Sequence, residues 1–147
     1  MKDGKTKEET ILAPSSLHTL ALLLLSVLAL CLASCKQEPA PAEVAAQTAK
    51  AYYDHLLQGR YADYVDGTYR PDSIPDSYRQ QLIDNAKMFV WQMKTEHQGM
   101  KSVAVNGATY DEKTQSANVY LVIVFLNGES EQIVVPMLFR NGLWLMR

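Results

Sequence analysis

The sequence predicts an α+β domain in which N-terminal helices pack on one face of a curved, four-stranded antiparallel sheet. Three observations carry this. Between Glu43 and Gly99, apolar residues recur at spacings of three and four. After Gly99 the period changes to two. Two Asn-Gly dipeptides, Asn127-Gly128 and Asn141-Gly142, then divide the second half into hairpins.

Each element follows from its own residues. Ala45, Ala49, Tyr52, Tyr53 and Leu56 line one side of a helix from Glu43 to Gln58, and Gly59 stops it. Tyr61 to Asp66 forms a short second helix or turn. Gly67, Pro71 and Pro75 break the chain into a loop. Asp76 or Ser77 can cap a long third helix whose stripe is Tyr78, Leu82, Ala86, Phe89 and Met93, widened by Ile83 and Val90. Lys101 to Tyr110 is a modest strand interrupted by Asn106-Gly107. Ser116 to Leu126 is a strong strand, Glu129 to Arg140 the next, and Leu143 to Arg147 closes the sheet.

The second strand is unusual because both of its faces are apolar. Helices cover only one of them. A two-residue turn at Asn127-Gly128 would place Leu126 opposite Glu129. That register groups Val119, Leu121, Ile123, Val134 and Pro136 on one face, and Tyr120, Val122, Val124, Ile133 and Val135 on the other. One set should pack on the long helix. The other should face a cavity or a partner.

Ahead of the domain, Leu20 to Leu32 is thirteen residues of Ala, Leu and Val with only Ser26 and Cys31 among them. A membrane-spanning helix needs about 20. Thirteen suits the apolar core of a secretory signal, and Lys2, Lys5 and Lys7 lie upstream. The stretch Leu32-Ala33-Ser34-Cys35 resembles the lipobox of bacterial lipoproteins. The resemblance implies a diacylglycerol on Cys35, cleavage before it, and a membrane anchor of two or three acyl chains. One chain alone binds marginally, at ~0.8 kcal/mol per buried methylene. Cys31 would leave with the signal, so the mature chain would form no internal disulfide. Lys36 to Ala42 reads as a tether stiffened by Pro39 and Pro41. Lys36, where the enterobacterial sorting rule has Asp for inner-membrane retention, implies a place at the outer membrane of the cell envelope. The organisation is thus a signal peptide over 1–34, a lipidated tether over 35–42 and the α+β domain over 43–147.

The domain's pattern resembles the nuclear transport factor 2-like, cystatin-like cone, on "AKAYYDHLLQGRYADY" and on "RNGLWLMR". Small bacterial lipoproteins with such domains of unknown function look similar throughout. The fold hosts isomerases, dehydratases and pure binding modules, so it does not decide function. Enzymes resembling it place carboxylates or histidines inside the cone. Here Ala117 to Leu126 and Ile133 to Phe139 carry no carboxylate, His, Lys or Arg, and Tyr120 is a poor base near neutral pH. Asp54, His55 and Asp63 read as a solvated helix face. His97 sits where a helix dipole favours a cation. His55 and His97 share no metal-ligand spacing, and no glycine-rich phosphate loop is present, so no metal or cofactor is expected. With a net charge of −2 and no basic stripe, nucleic acid is not an expected partner either.

Six tyrosines fall between Tyr52 and Tyr78, and of these Tyr52, Tyr53, Tyr61 and Tyr64 are candidates to line a cavity. The sequence therefore points to a lipid-anchored, non-catalytic binding or assembly module. Tyr120, Val122, Val124, Ile133 and Val135 are its candidate interface, for a small apolar ligand, a second copy or an envelope protein. The alternative is an enzyme of the ketosteroid isomerase or dehydratase kind.

Overall fold

The computed structural model describes residues 38–147, and the unit within them is Pro39–Arg147. The signal, the lipobox Leu32, Ala33, Ser34 and the acceptor Cys35 lie outside the described residues. Helix α1 runs Pro41–Leu57, α2 Tyr61–Asp66 and α3 Asp76–His97. The strands are β1 Met100–Asp111, β2 Ser116–Phe125, β3 Ser130–Arg140 and β4 Leu143–Met146, antiparallel in the order β1-β2-β3-β4.

Two helix starts differ from expectation. Helix α1 begins at Pro41, inside the expected tether. A proline in the first turn forfeits only an N–H that has no helical partner, and its fixed φ suits a helix. Neither Asp76 nor Ser77 caps α3. The Pro75 carbonyl instead accepts from the Tyr78 and Arg79 amides, each at 3.0 Å. Tyr78 sits in that first turn and stays half exposed, although the stripe placed it inward. Past the turn the stripe holds: Ile83, Ala86 and Met93 are buried.

The core lies between α1 and the sheet. Ala45, Ala46 and Ala49 are small enough to let the α1 backbone settle on β1 and β2. Beneath them lie Ala117, Val119, Leu121, Ile123 and Phe125 of β2, all buried. Helix α1, not the longer α3, therefore covers the strong strand. Helix α3 packs on the end of α1 and on α2 through a second cluster of Leu56, Val65, Ile83 and Ala86.

The two Asn-Gly dipeptides make different turns. At Asn141-Gly142 both residues have positive φ, 52° and 79°, and Arg140 faces Leu143 directly. That is the expected two-residue hairpin. At Asn127-Gly128 only Gly128 is positive, at 90°. Leu126 has left β2, giving a three-residue loop closed by Gly128 N to Phe125 O (3.2 Å) and Phe125 N to Glu129 O (2.9 Å). Tertiary contacts decide this. The Leu126 amide donates to the Gly99 carbonyl (2.9 Å), while Phe125 is buried and its ring stacks on His97 at 4.2 Å. Leu126 cannot both bond Gly99 and extend the ladder.

Asn106-Gly107 does not end β1. The register shifts between Val105 and Gly107, a bulge that lets Val105 and Ala108 both face the core side. At the other edge, β4 is closed by the segment after α2. Thr68 bridges Met146, with Met146 N to Gly67 O at 2.8 Å and Tyr69 N to Met146 O at 2.6 Å. A bidentate Arg79–Asp66 pair, at 3.0 and 2.6 Å, ties the two sides of the intervening loop. That arginine is the main reason the Asp66 carboxyl is held below its ordinary value.

Candidate functional site

The three-residue loop moves the β2–β3 register by one. Val119 pairs with Val135, Tyr120 with Val134, Leu121 with Ile133, and Val122 with Gln132. The two expected sets are therefore re-sorted. Ile133 and Val135 leave the candidate interface, and Val135 is buried beneath α1 with Met137. Val134 and Pro136, expected with the core set, take their place and are exposed. Both β3 faces are apolar here, so alternation alone could not choose between the two arrangements.

The face away from the helices is thus built on Tyr120, Val122 and Val124 of β2, half-buried by their neighbours, and on Val134 and Pro136 of β3. Leu138 pairs with Leu145 at its β4 side, and Leu143 is 61% exposed there. Ser102 and Ala104 of β1 complete it opposite Val124 and Val122. The Asn106 amide reaches Gln132 Oε1 at 2.7 Å, so these two polar side chains satisfy each other above β2. Charge on this face gathers at one end, where Asp111, Arg140 and Arg147 line a shallow cleft with Tyr69.

On the helix-covered face the candidate tyrosines serve packing. Tyr53 and Tyr64 meet edge to face, centroids 5.6 Å apart at 84°. Burial pushes both hydroxyls above the ordinary tyrosine value, and Tyr64 adds to the shift of Tyr53. Tyr52 donates to the Trp144 carbonyl at 2.9 Å. Tyr61 packs at the edge of the second cluster. Tyr52, Tyr53 and Tyr64 thus come together as packing on the helix side, and Tyr120 stands on the opposite face. Tyr64 also lines a groove of about 330 Å³ shared with Val65, Thr68, Leu82, Asn85, Ala86 and Phe89.

The titratable candidates are scattered. Asp54 pairs with Lys50 at 2.6 Å. His55 is half-buried near Tyr52, its Nδ1 enclosed without a partner. His97 ends α3, and its Nδ1 lies 2.8 Å from Glu129 Oε2. Glu129 has its carboxyl held low first by the Asn127 amide and then by His97. Among the described residues no group of three or more His, Cys, Asp or Glu side chains is placed to hold a metal. Met88 and Trp91, each 68% exposed on α3, are large apolar side chains outside the residues expected at a site. Their offset from the apolar stripe was the available signal.

Three helices on one face of a curved sheet, with the other face bare among the described residues, is a recognisable arrangement. A solved Campylobacter jejuni protein described as an NTF2-like transpeptidase matches it with a TM-score of 0.54 at 16% identity, over 67% of this chain and 92% of that one. The fold is NTF2-like. No family model matches the chain, and no curated protein does. In this NTF2-like domain the face beneath the helices is filled by Tyr52, Tyr53, Trp144 and the β2 core residues.

Proposed function

We propose that this chain is a lipid-anchored, non-catalytic binding or assembly module of the bacterial cell envelope, working through the open face of its sheet. One observation carries the reading: among the described residues every fully buried side chain is apolar, while β2 carries Tyr120, Val122 and Val124, half-buried, on its other face beside the exposed Val134 and Pro136. An isomerase or dehydratase needs a carboxylate or histidine projecting into an enclosed space. The buried set here has neither. The apolar surface that a soluble domain ordinarily covers lies instead on the outside.

The anchor half of the reading rests on Leu32-Ala33-Ser34-Cys35 at the end of the apolar run. With α1 starting at Pro41, the linker to Cys35 is short, and the domain would sit near the lipid surface. Metabolic labelling with a fatty-acid analogue tests it. The wild-type chain takes up label and Cys35→Ala does not, and the variant also keeps its signal. Undiminished label on Cys35→Ala would sink the anchor.

A further inference from the structure

We propose that the charged end of the open sheet face is a binding site for a small, hydroxylated oxyanion: a phosphate or carboxylate carried on a sugar-sized body. The site adds to the proposed function. It depends neither on the anchor nor on what meets the apolar part of the face.

Register builds the site. Asp111 pairs with Ser116, Ser116 with Leu138, and Leu138 with Leu145, one row across the four strands. The Tyr69 amide donates to the Met146 carbonyl at 2.6 Å, which brings Tyr69 alongside β4. Arg140 lies two residues beyond Leu138, so it shares the face of Leu138. Trp144 and Met146 are buried, so by alternation Arg147 emerges on the open face with Leu145. The Arg147 amide donates to the Pro136 carbonyl at 2.9 Å, on the other side of Leu138 from Arg140. The two arginines therefore flank a floor made by Leu138. At ~3.3 Å per residue they stand roughly 13 Å apart along the strands.

Charge names the ligand. Among the described residues the other arginines, Arg60, Arg70 and Arg79, each meet a carboxylate. Arg140 and Arg147 form no ion pair among those residues, and both line one cleft. Like charges turned to one space repel, and an anion between them removes that cost. A guanidinium is also the side chain whose fork matches a phosphate or a carboxylate. The Arg140 fork is held in place, because one Nη donates to the Phe139 carbonyl at 2.7 Å. Asp111 calls for more than a bare anion. Its Oδ1 accepts from the Lys113 amide at 2.9 Å, and its other oxygen is left for a ligand hydroxyl. Thr114 and Ser116 bond each other at 2.7 Å, which leaves one hydroxyl proton to donate. A polyanion or an anionic membrane surface would call for several basic groups without a carboxylate among them. The cleft holds about 570 Å³, within the ~300–1,000 Å³ of small-molecule sites.

The test uses the full chain in a non-ionic polyoxyethylene detergent, titrated by calorimetry with glucose 6-phosphate, glucuronate and glucose. At least one of the two anions should bind, more weakly as salt rises, and glucose should not. Whichever anion binds tells phosphate from carboxylate. Arg140→Gln and Arg147→Gln should each weaken that binding at least tenfold, with the melting temperature unchanged. Lys94→Gln removes the same charge from α3 and should leave the binding as it was. Failure of both anions to bind overturns the site. So does binding that survives both arginine changes, or that Lys94→Gln weakens equally. Inorganic phosphate binding as tightly as glucose 6-phosphate overturns the sugar-sized body. Fatty-acid label on Cys35 is untouched by any of these results and judges the anchor separately.

Discussion

At the scale of single residues, the tyrosines show how one residue type serves two surfaces. Tyr120 stands half-buried on the bare face, where its ring adds apolar area. Tyr53 and Tyr64 are enclosed, and enclosure disfavours their ionised forms, which raises both pKa values. The sign of the stability effect follows. An unfolded tyrosine loses its proton near pH 10. The folded Tyr53 holds its proton to higher pH, so the contribution is intact below pH ~10 and is lost as pH climbs toward the folded value. One such group can cost up to ~1.4 kcal/mol per pH unit in that window. Tyr53→Phe should therefore lose less stability than wild type between pH 8 and 11, with Tyr64 supplying what remains. Urea unfolding at the two pH values measures it, and equal losses would show that Tyr53 is solvated.

At the scale of elements, the lesson is that one dipeptide gives two turns. Asn141-Gly142 adopts positive φ twice and keeps a two-residue loop. Asn127-Gly128 cannot, because Leu126 is drawn to Gly99 and Phe125 is fixed on His97. The register that results has a direct chemical test. Phe125 and Glu129 form a hydrogen-bonded closing pair, so the next pair, Val124 and Ser130, is non-hydrogen-bonded. Cα atoms of such pairs are about 4.5 Å apart, within the range of about 4.4–6.8 Å that a disulfide spans. A chain from Pro39 contains no cysteine of its own. Val124→Cys with Ser130→Cys should form an internal disulfide, whereas Val124→Cys with Glu131→Cys should not, since those side chains leave opposite faces. The reverse result would restore the two-residue register and return Ile133 and Val135 to the open face. The helix, strand and hairpin order was legible in the sequence because period and turn residues agree along the chain. The register was not. Ile133 to Leu138 is apolar on both parities, and the deciding contacts come from Gly99 and His97, about thirty residues away. The candidate site inherited that limit: Tyr120, Val122 and Val124 depend on β2 alone and keep their place, while the β3 half changed sides.

At the scale of the whole molecule, the helix layer and the sheet are joined where the chain ends. Strand β4 is four residues long, and an isolated strand of that length has little stability of its own. It is held from three directions. Phe139 and Tyr110 meet the Trp144 ring at 5.3 and 5.9 Å. Tyr52 of α1 bonds the Trp144 carbonyl. The segment after α2 pairs with Met146. Trp144 is only 6% exposed, so it is the side chain through which α1, β1, β3 and β4 share one core. Removing a buried Trp typically costs ~3–5 kcal/mol, against a total of ~5–15 kcal/mol for a domain. The space left by the indole would also loosen Tyr110 and Phe139 together, so the loss should not stay local. Trp144→Ala in the chain from Pro39 should lower the melting temperature by tens of degrees or leave no cooperative transition, at about 4–8 °C per kcal/mol for a domain near this size. A melting temperature within a few degrees of wild type would mean that α1 and the β1–β3 sheet hold together without the last strand.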